Sequence, residues 1–180
     1  MSRGGCDKIV YMNKTLLALL AALLLSPPTF ATHTPIHSPT EEILVEHSVV
    51  KMQLAPGISI EDASQAMLSK AADLNLKLVG RQQTSKALQQ RGIASPHIEI
   101  FQFCNPEDAA KMVRHDIIYA SYMPCRIALV EDNNGTPWLT TLNLNMMISR
   151  SLLPDEIYRI AVSTNTKIMT IMTAGANGDF

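Results

Sequence analysis

Hydrophobic and polar positions along this chain follow two rhythms, and the switches between them predict an α+β domain. From Ile43 to Leu54, Ile43, Val45, His47 and Val49 alternate with Glu46, Ser48 and Lys51, the period of a strand, and Leu44 and Val50 make the second face partly apolar. Ser59 then precedes Glu61 and Asp62, a capping side chain ahead of an acidic first turn. Ile60, Ala63, Met67, Leu68, Ala71 and Leu74 recur on one side of the helix that follows. A second strand is predicted over 76–83 and a short polar helical turn over 85–90, stopped by Gly92. A third strand runs over 98–104, with Phe101 and Phe103 on one face and Ile100, Gln102 and Cys104 on the other.

Asn105, Pro106, Glu107 and Asp108 carry the cap, first-position proline and acidic turn of another helix, which should end near Asp116. Residues 126–131 and 138–142 read as strands joined at Asp132-Asn133-Asn134-Gly135, a turn that tolerates positive φ. Pro154-Asp155-Glu156 opens a final helix in which Ile157, Ile160, Ala161, Thr164, Ile168, Ile171 and Met172 share a side, and Gly175 and Gly178 are expected to end it. The order β-α-β-β-(α)-β-β-α implies an antiparallel sheet covered on one face by helices.

The first 31 residues read as a secretory signal. Lys8 and Lys14 precede an apolar run from Leu16 to Leu25, and small residues lead to a cleavage point after Ala31. Met12 is a candidate true start, which would leave Cys6 outside the protein. The run is about half of the ~20 apolar residues a spanning helix needs, so no stable membrane anchor is expected after cleavage. Residues 32–42, with Pro35 and Pro39 among polar neighbours, read as a flexible leader, and 43–180 as a single domain. The predicted location is the periplasm or the exterior.

Net charge is −1, which leaves no electrostatic footprint for nucleic acid. There is no phosphate loop, nucleophile elbow, zinc-protease or haem-attachment motif, so no catalytic residue and no cofactor is assigned. His33 and His37 in the leader lack a third ligand. Met112, Met123, Met146 and Met147 form no Met-x-x-Met or His-Met cluster and read as core packing. Asp132 and Glu131 read as solvated turn residues.

Two segments, Phe103-Cys104-Asn105-Pro106 and Met123-Pro124-Cys125-Arg126-Ile127-Ala128-Leu129-Val130-Glu131-Asp132, together with the hairpin after them, resemble domain-of-unknown-function family 302. The likeness runs from about His47 to the end. It implies a fold like one repeat of the TATA-binding protein, β-α-β4-α, here with an extra short helix between the third and fourth strands, and a tendency to dimerise. No DNA binding follows from the fold.

Sequential strands in such a meander are antiparallel, which brings the end of the third and the start of the fourth together, and with them Cys104 and Cys125. In an oxidising compartment a disulfide is the simplest outcome. The alternatives are a redox or metal-binding thiol pair, since Cys104 precedes a helix cap and Cys125 adjoins Arg126, and two buried unpaired thiols. His97 and His115 are candidate additions to a metal set, though each suits a solvent-facing or capping role better. Arg126, among apolar residues, is expected to need a buried partner such as Glu99 or an anionic ligand. Asn105 and Arg126 are thus the candidate ligand-binding residues. The functional expectation is a non-enzymatic exported binding or accessory module, dimeric, taking a small ligand or a periplasmic protein partner.

Overall fold

Alternation of side chains through five short strands builds a single antiparallel sheet with one face closed over by helices. The computed structural model describes residues 45–180, all within one compact unit, Glu42–Phe180. The signal segment, the leader with His33 and His37, and Cys6 lie outside the described residues. A 3-10 turn, Val45–Ser48, leads into β1, Val49–Gln53. Then come α1, Ile60–Asp73; β2, Lys77–Gln83; α2, Thr84–Gln89; and β3, Ile98–Cys104. Helix α3, Pro106–His115, and a 3-10 segment, Ile117–Tyr122, precede β4, Cys125–Glu131, and β5, Pro137–Leu142. Helices α4, Leu144–Ser149, and α5, Asp155–Asn177, complete the chain.

Strand order across the sheet is β1-β5-β4-β3-β2, with every neighbouring pair antiparallel. The α+β reading, with its helix between β3 and β4, therefore holds. Phe101, Phe103, Ile127, Leu129 and Leu139 point to the helical side, where Ala63, Met67 and Ala71 of α1 and Ile168, Ile171 and Met172 of α5 close over them. Full burial of side chains of this size stabilises by about 1.5–3 kcal/mol each. The opposite face carries Ile98, Ile100, Ala128, Val130 and Trp138, each half-buried.

Three local expectations change. The first strand is shorter than 43–54, and its inward residues are Val50 and Met52 rather than the Val49 set. Gly175 does not end the last helix: it is buried within α5, and a Cβ there would lie 2.5 Å from Met67 Cγ and 3.3 Å from the Ala63 carbonyl. Missing bulk at this point lets α5 settle onto α1, while Gly178, at φ +70°, makes the left-handed stop. Third, Asp132 organises the hairpin turn. Its Oδ1 accepts from the Asn134 and Thr136 amides at 2.9 and 3.0 Å, and its Oδ2 accepts from Trp138 Nε1 at 3.0 Å.

The α1 start matches its sequence signature closely. Ser59 Oγ accepts from the Asp62 amide at 3.0 Å, and Asp62 Oδ2 accepts from the Ser59 amide at 3.3 Å, a reciprocal capping box.

Candidate functional site

The chain leaves β3 at Cys104 and re-enters the sheet at Cys125, and the segment between arches away from the sheet. Asn105 caps α3, its Oδ1 accepting from the Glu107 and Asp108 amides at 3.0 and 3.1 Å. Asp116 caps the following 3-10 segment through the Ile118 amide at 2.9 Å. Asn143 starts α4, accepting from the Met146 amide at 3.4 Å while its Nδ2 donates to the His47 carbonyl at 3.0 Å. These three Asx caps fix short elements that could not persist alone. Between them and the outer part of α5 lies a cavity of about 240 Å³.

Apolar groups dominate its wall: Leu76 and Phe103 from the sheet side, Ala109 and Met112 from α3, Met147 and Ile148 from α4, and Ile160 and Ala161 from α5. Tyr119, Tyr122 and Met123 line it from the arch. Asn105, Asp108, Ser151 and Thr164 supply its few polar groups. A concave apolar surface with sparse polar groups is the usual form of a small-ligand site. Ile118 and Tyr122, also in the wall, remain 55% and 38% exposed, so the cavity opens through the arch.

Both cysteines border this cavity, as free thiols. The ladder sets Cys125 opposite Phe103, and Cys104 opposite Lys77 one position farther along, so the two are diagonal rather than directly paired. Residues one position out of register start toward opposite faces of a sheet, an unfavourable start for a disulfide, although both cysteines border the cavity at the sheet end. Burial raises the Cys104 thiol, with a further upward push from the Asp108 charge. Burial, then the neighbouring Cys104, pushes Cys125 up to about 11 against a smaller lowering by Arg126. Cap and arginine therefore do not produce the activated thiolates their sequence positions suggest.

Arg126 is exposed and needs no buried partner, a correction with a simple cause. Ile127 faces the core, so alternation turns Arg126 to the opposite side, across from Gln102. Glu99 pairs instead with Arg81 on β2, whose Nε donates to Glu99 Oε1 at 2.6 Å and whose Nη2 donates to Ser64 Oγ at 3.2 Å. Glu99 is 3% exposed. Burial raises its carboxyl pKa, but hydrogen bonds from Arg81 and Gln83 and the charges of Arg81 and His97 outweigh that and hold it below its ordinary value. His97 Nε2 sits 3.6 Å from Glu99 Oε2, too far for a hydrogen bond, and the His97 amide donates to Glu131 Oε2 at 2.8 Å. Glu131 is thus also tied into the sheet.

The predicted residues therefore separate. Cys104, Asn105 and Cys125 gather at one cavity, whereas Arg126 lies on the open sheet face. His115 stacks on Tyr119, with ring centroids 6.1 Å apart, and is exposed. Among the described residues no group of three or more His, Cys, Asp and Glu is placed to hold a metal. Tyr119 and Tyr122 escaped sequence reading, because the segment over 117–122 is too short to show a period, while Met147 and Ala161 were legible only as packing residues. Asp116 and Asn143 were the available signals, each a capping residue ahead of an apolar run.

Comparison with known proteins now decides the family. The model of "Domain of unknown function DUF302" matches residues 51–175. This chain belongs to the DUF302 family. The crystal structure of an uncharacterized conserved DUF302 protein from Bacillus stearothermophilus is similar at a TM-score of 0.57 and 15% identity, over 70% of this chain and 96% of that one. At that identity the likeness concerns the fold. No curated protein matches the chain. Every cavity residue named above lies inside the DUF302 match, from Leu76 to Thr164.

Proposed function

We propose that this DUF302 protein is a non-enzymatic exported binding module that takes a small ligand into the cavity between the arch, α4 and α5. The observation that carries the reading is the cavity itself, an apolar hollow of about 240 Å³ with few polar groups and an opening through the arch. Raised thiols in its wall support a binding role over a nucleophilic one. Export rests on Lys14, the apolar run from Leu16 to Leu25 and Ala31. The open sheet face, with Ile98, Ile100, Val130 and Trp138 only half-buried, supports a second copy as partner, sheet against sheet.

An environment-sensitive apolar dye tests the cavity. It should bind once per chain and lose at least tenfold in affinity when Ala161→Phe fills the wall. Unchanged dye binding in that variant, or none to the native protein, would overturn the reading. Sedimentation of Val130→Glu tests the dimer, because a charge on the open face should leave a monomer.

A second reading, thiol-dependent chemistry, is favoured by one observation: both cysteines of the domain border the same cavity. Its test is thiol titration of protein taken from the exported compartment, with and without reductant.

A further inference from the structure

We propose that the sulfur-bearing part of the cavity wall holds a soft monovalent metal ion, copper(I), with Cys104 and Cys125 as ligands that release their thiol protons to solvent as the ion binds, and a methionine thioether completing the set. The inference rests on the cavity reading and names the class of its occupant.

Five sulfur-bearing side chains border this one cavity: Cys104, Cys125, Met112, Met123 and Met147. They come from separate places, the facing ends of β3 and β4, the helix α3, the arch, and α4, so no local spacing announces them. The sequence criterion that dismissed the methionines, a short Met-x-x-Met repeat, does not apply to a set assembled by the fold.

The donor chemistry then selects the metal. Thiolate and thioether sulfur favour copper(I), whereas zinc sites draw on four ligands from Cys, His and carboxylate. Among the cavity residues Asp108 is the single carboxylate and there is no histidine. The side-chain oxygen of Asn105 is already engaged in capping α3. A hard or borderline ion would therefore find too few partners, while a soft ion would find an excess.

Placement favours a metal over a disulfide as the link between the two thiols. A disulfide demands a fixed torsion and a short Cβ separation, which diagonal strand positions serve poorly, whereas an ion between two sulfurs relaxes both demands. Leu76, Phe103 and Ile160 provide the apolar shell that limits water and oxidant access to such an ion.

The test presents reduced, metal-free protein with copper(I) as its bicinchoninate complex under anaerobic conditions. One equivalent should leave the dye complex, and X-ray absorption should show a first shell of sulfur alone. Cys125→Ser should weaken binding by more than the ~100-fold upper range seen when an outer-shell partner is lost. Because a cysteine variant can misfold, Met123→Leu and Met147→Leu serve as near-isosteric companions that keep the native urea midpoint, and copper(I) affinity should fall in the one that removes the thioether ligand. No transfer of copper(I), a nitrogen or oxygen first shell, or equal affinity in native protein and all three variants would overturn the proposal. If the dye still binds in that case, the metal is wrong and the cavity reading stands; if neither binds, both fall.

Discussion

Removing Arg81 from its pair with Glu99 is the sharpest test of how the sheet tolerates a carboxylate inside its apolar face. Arg81→Met keeps an unbranched stem beside the Phe101 ring, over which the guanidinium now sits 5.0 Å from the centroid. It deletes the 2.6 Å bond to Glu99 and the 3.2 Å bond to Ser64. Breaking a fully buried pair costs about 3–5 kcal/mol, and a hydrogen bond to a charged group about 1.5–3 kcal/mol. The Glu99 side chain is 4% exposed but that of Arg81 is 31% exposed, so solvent screening puts the expectation at about 2–3 kcal/mol at pH 7. In a domain of this size that lowers Tm by roughly 6–12 °C.

The pH dependence fixes the cause. In the native protein the Glu99 pKa lies below its unfolded value, so its contribution is present above the unfolded pKa and is lost as pH falls through the folded one. Without Arg81 the burial effect dominates and the pKa rises, so the carboxylate now destabilises at neutral pH and the penalty fades as it takes up a proton. Urea denaturation should therefore show the gap between native and Arg81→Met proteins narrowing from pH 7 to about 4.5. Adding Glu99→Gln to Arg81→Met should recover most of the loss at pH 7. A single-variant loss below about 0.5 kcal/mol, the scale of an exposed pair, or a gap independent of pH would refute the reasoning.

Gly175→Ala should destabilise despite alanine's helix preference of about 1 kcal/mol, because overpacking against Met67 and the Ala63 carbonyl costs about 1–3 kcal/mol; chemical denaturation reads the sign directly. At pH 8 a thiol with a pKa of about 11 is ionised in only about one molecule per thousand, so iodoacetamide should label Cys125 far more slowly than a free cysteine, and its rate should still be climbing at pH 10, as followed by mass spectrometry. Asp132→Ala should shift the emission of Trp138, the chain's one tryptophan, and lower Tm; the difference from native protein should shrink only as pH drops through the depressed Asp132 pKa.

Much of the fold was legible because its signals are local. Ser59 with Asp62, and Asn105 with Pro106, announce helices by their own hydrogen-bonding chemistry, and Phe101 with Phe103 reveal the buried face of β3 through alternation alone. What stayed hidden depends on partners distant in sequence. Arg126 and Glu99 looked like a pair on charge and apolar context, but register gave Glu99 to Arg81, eighteen residues earlier, and alternation turned Arg126 away. Gly175 carries the same signature as a helix-ending glycine, and only the approach of α1 distinguishes the two. The cavity was the least legible feature, since the fold gathers its sulfur-bearing residues from five separate elements.

The irregularity in β2 has a consequence for how this protein behaves when concentrated. Strand β2 lies at one rim of the sheet, and its register with β3 shifts between Leu78 and Gly80. Unpaired strand rims template further strands from other molecules, and a bulge together with charged side chains such as Lys77 and Arg81 spoils that template. The other rim, β1, is only five residues long and carries Lys51 over the Trp138 ring, with its nitrogen 3.6 Å from the centroid. Both rims are thus blunted against open-ended strand addition, so edge-to-edge growth of folded molecules into fibrils is disfavoured.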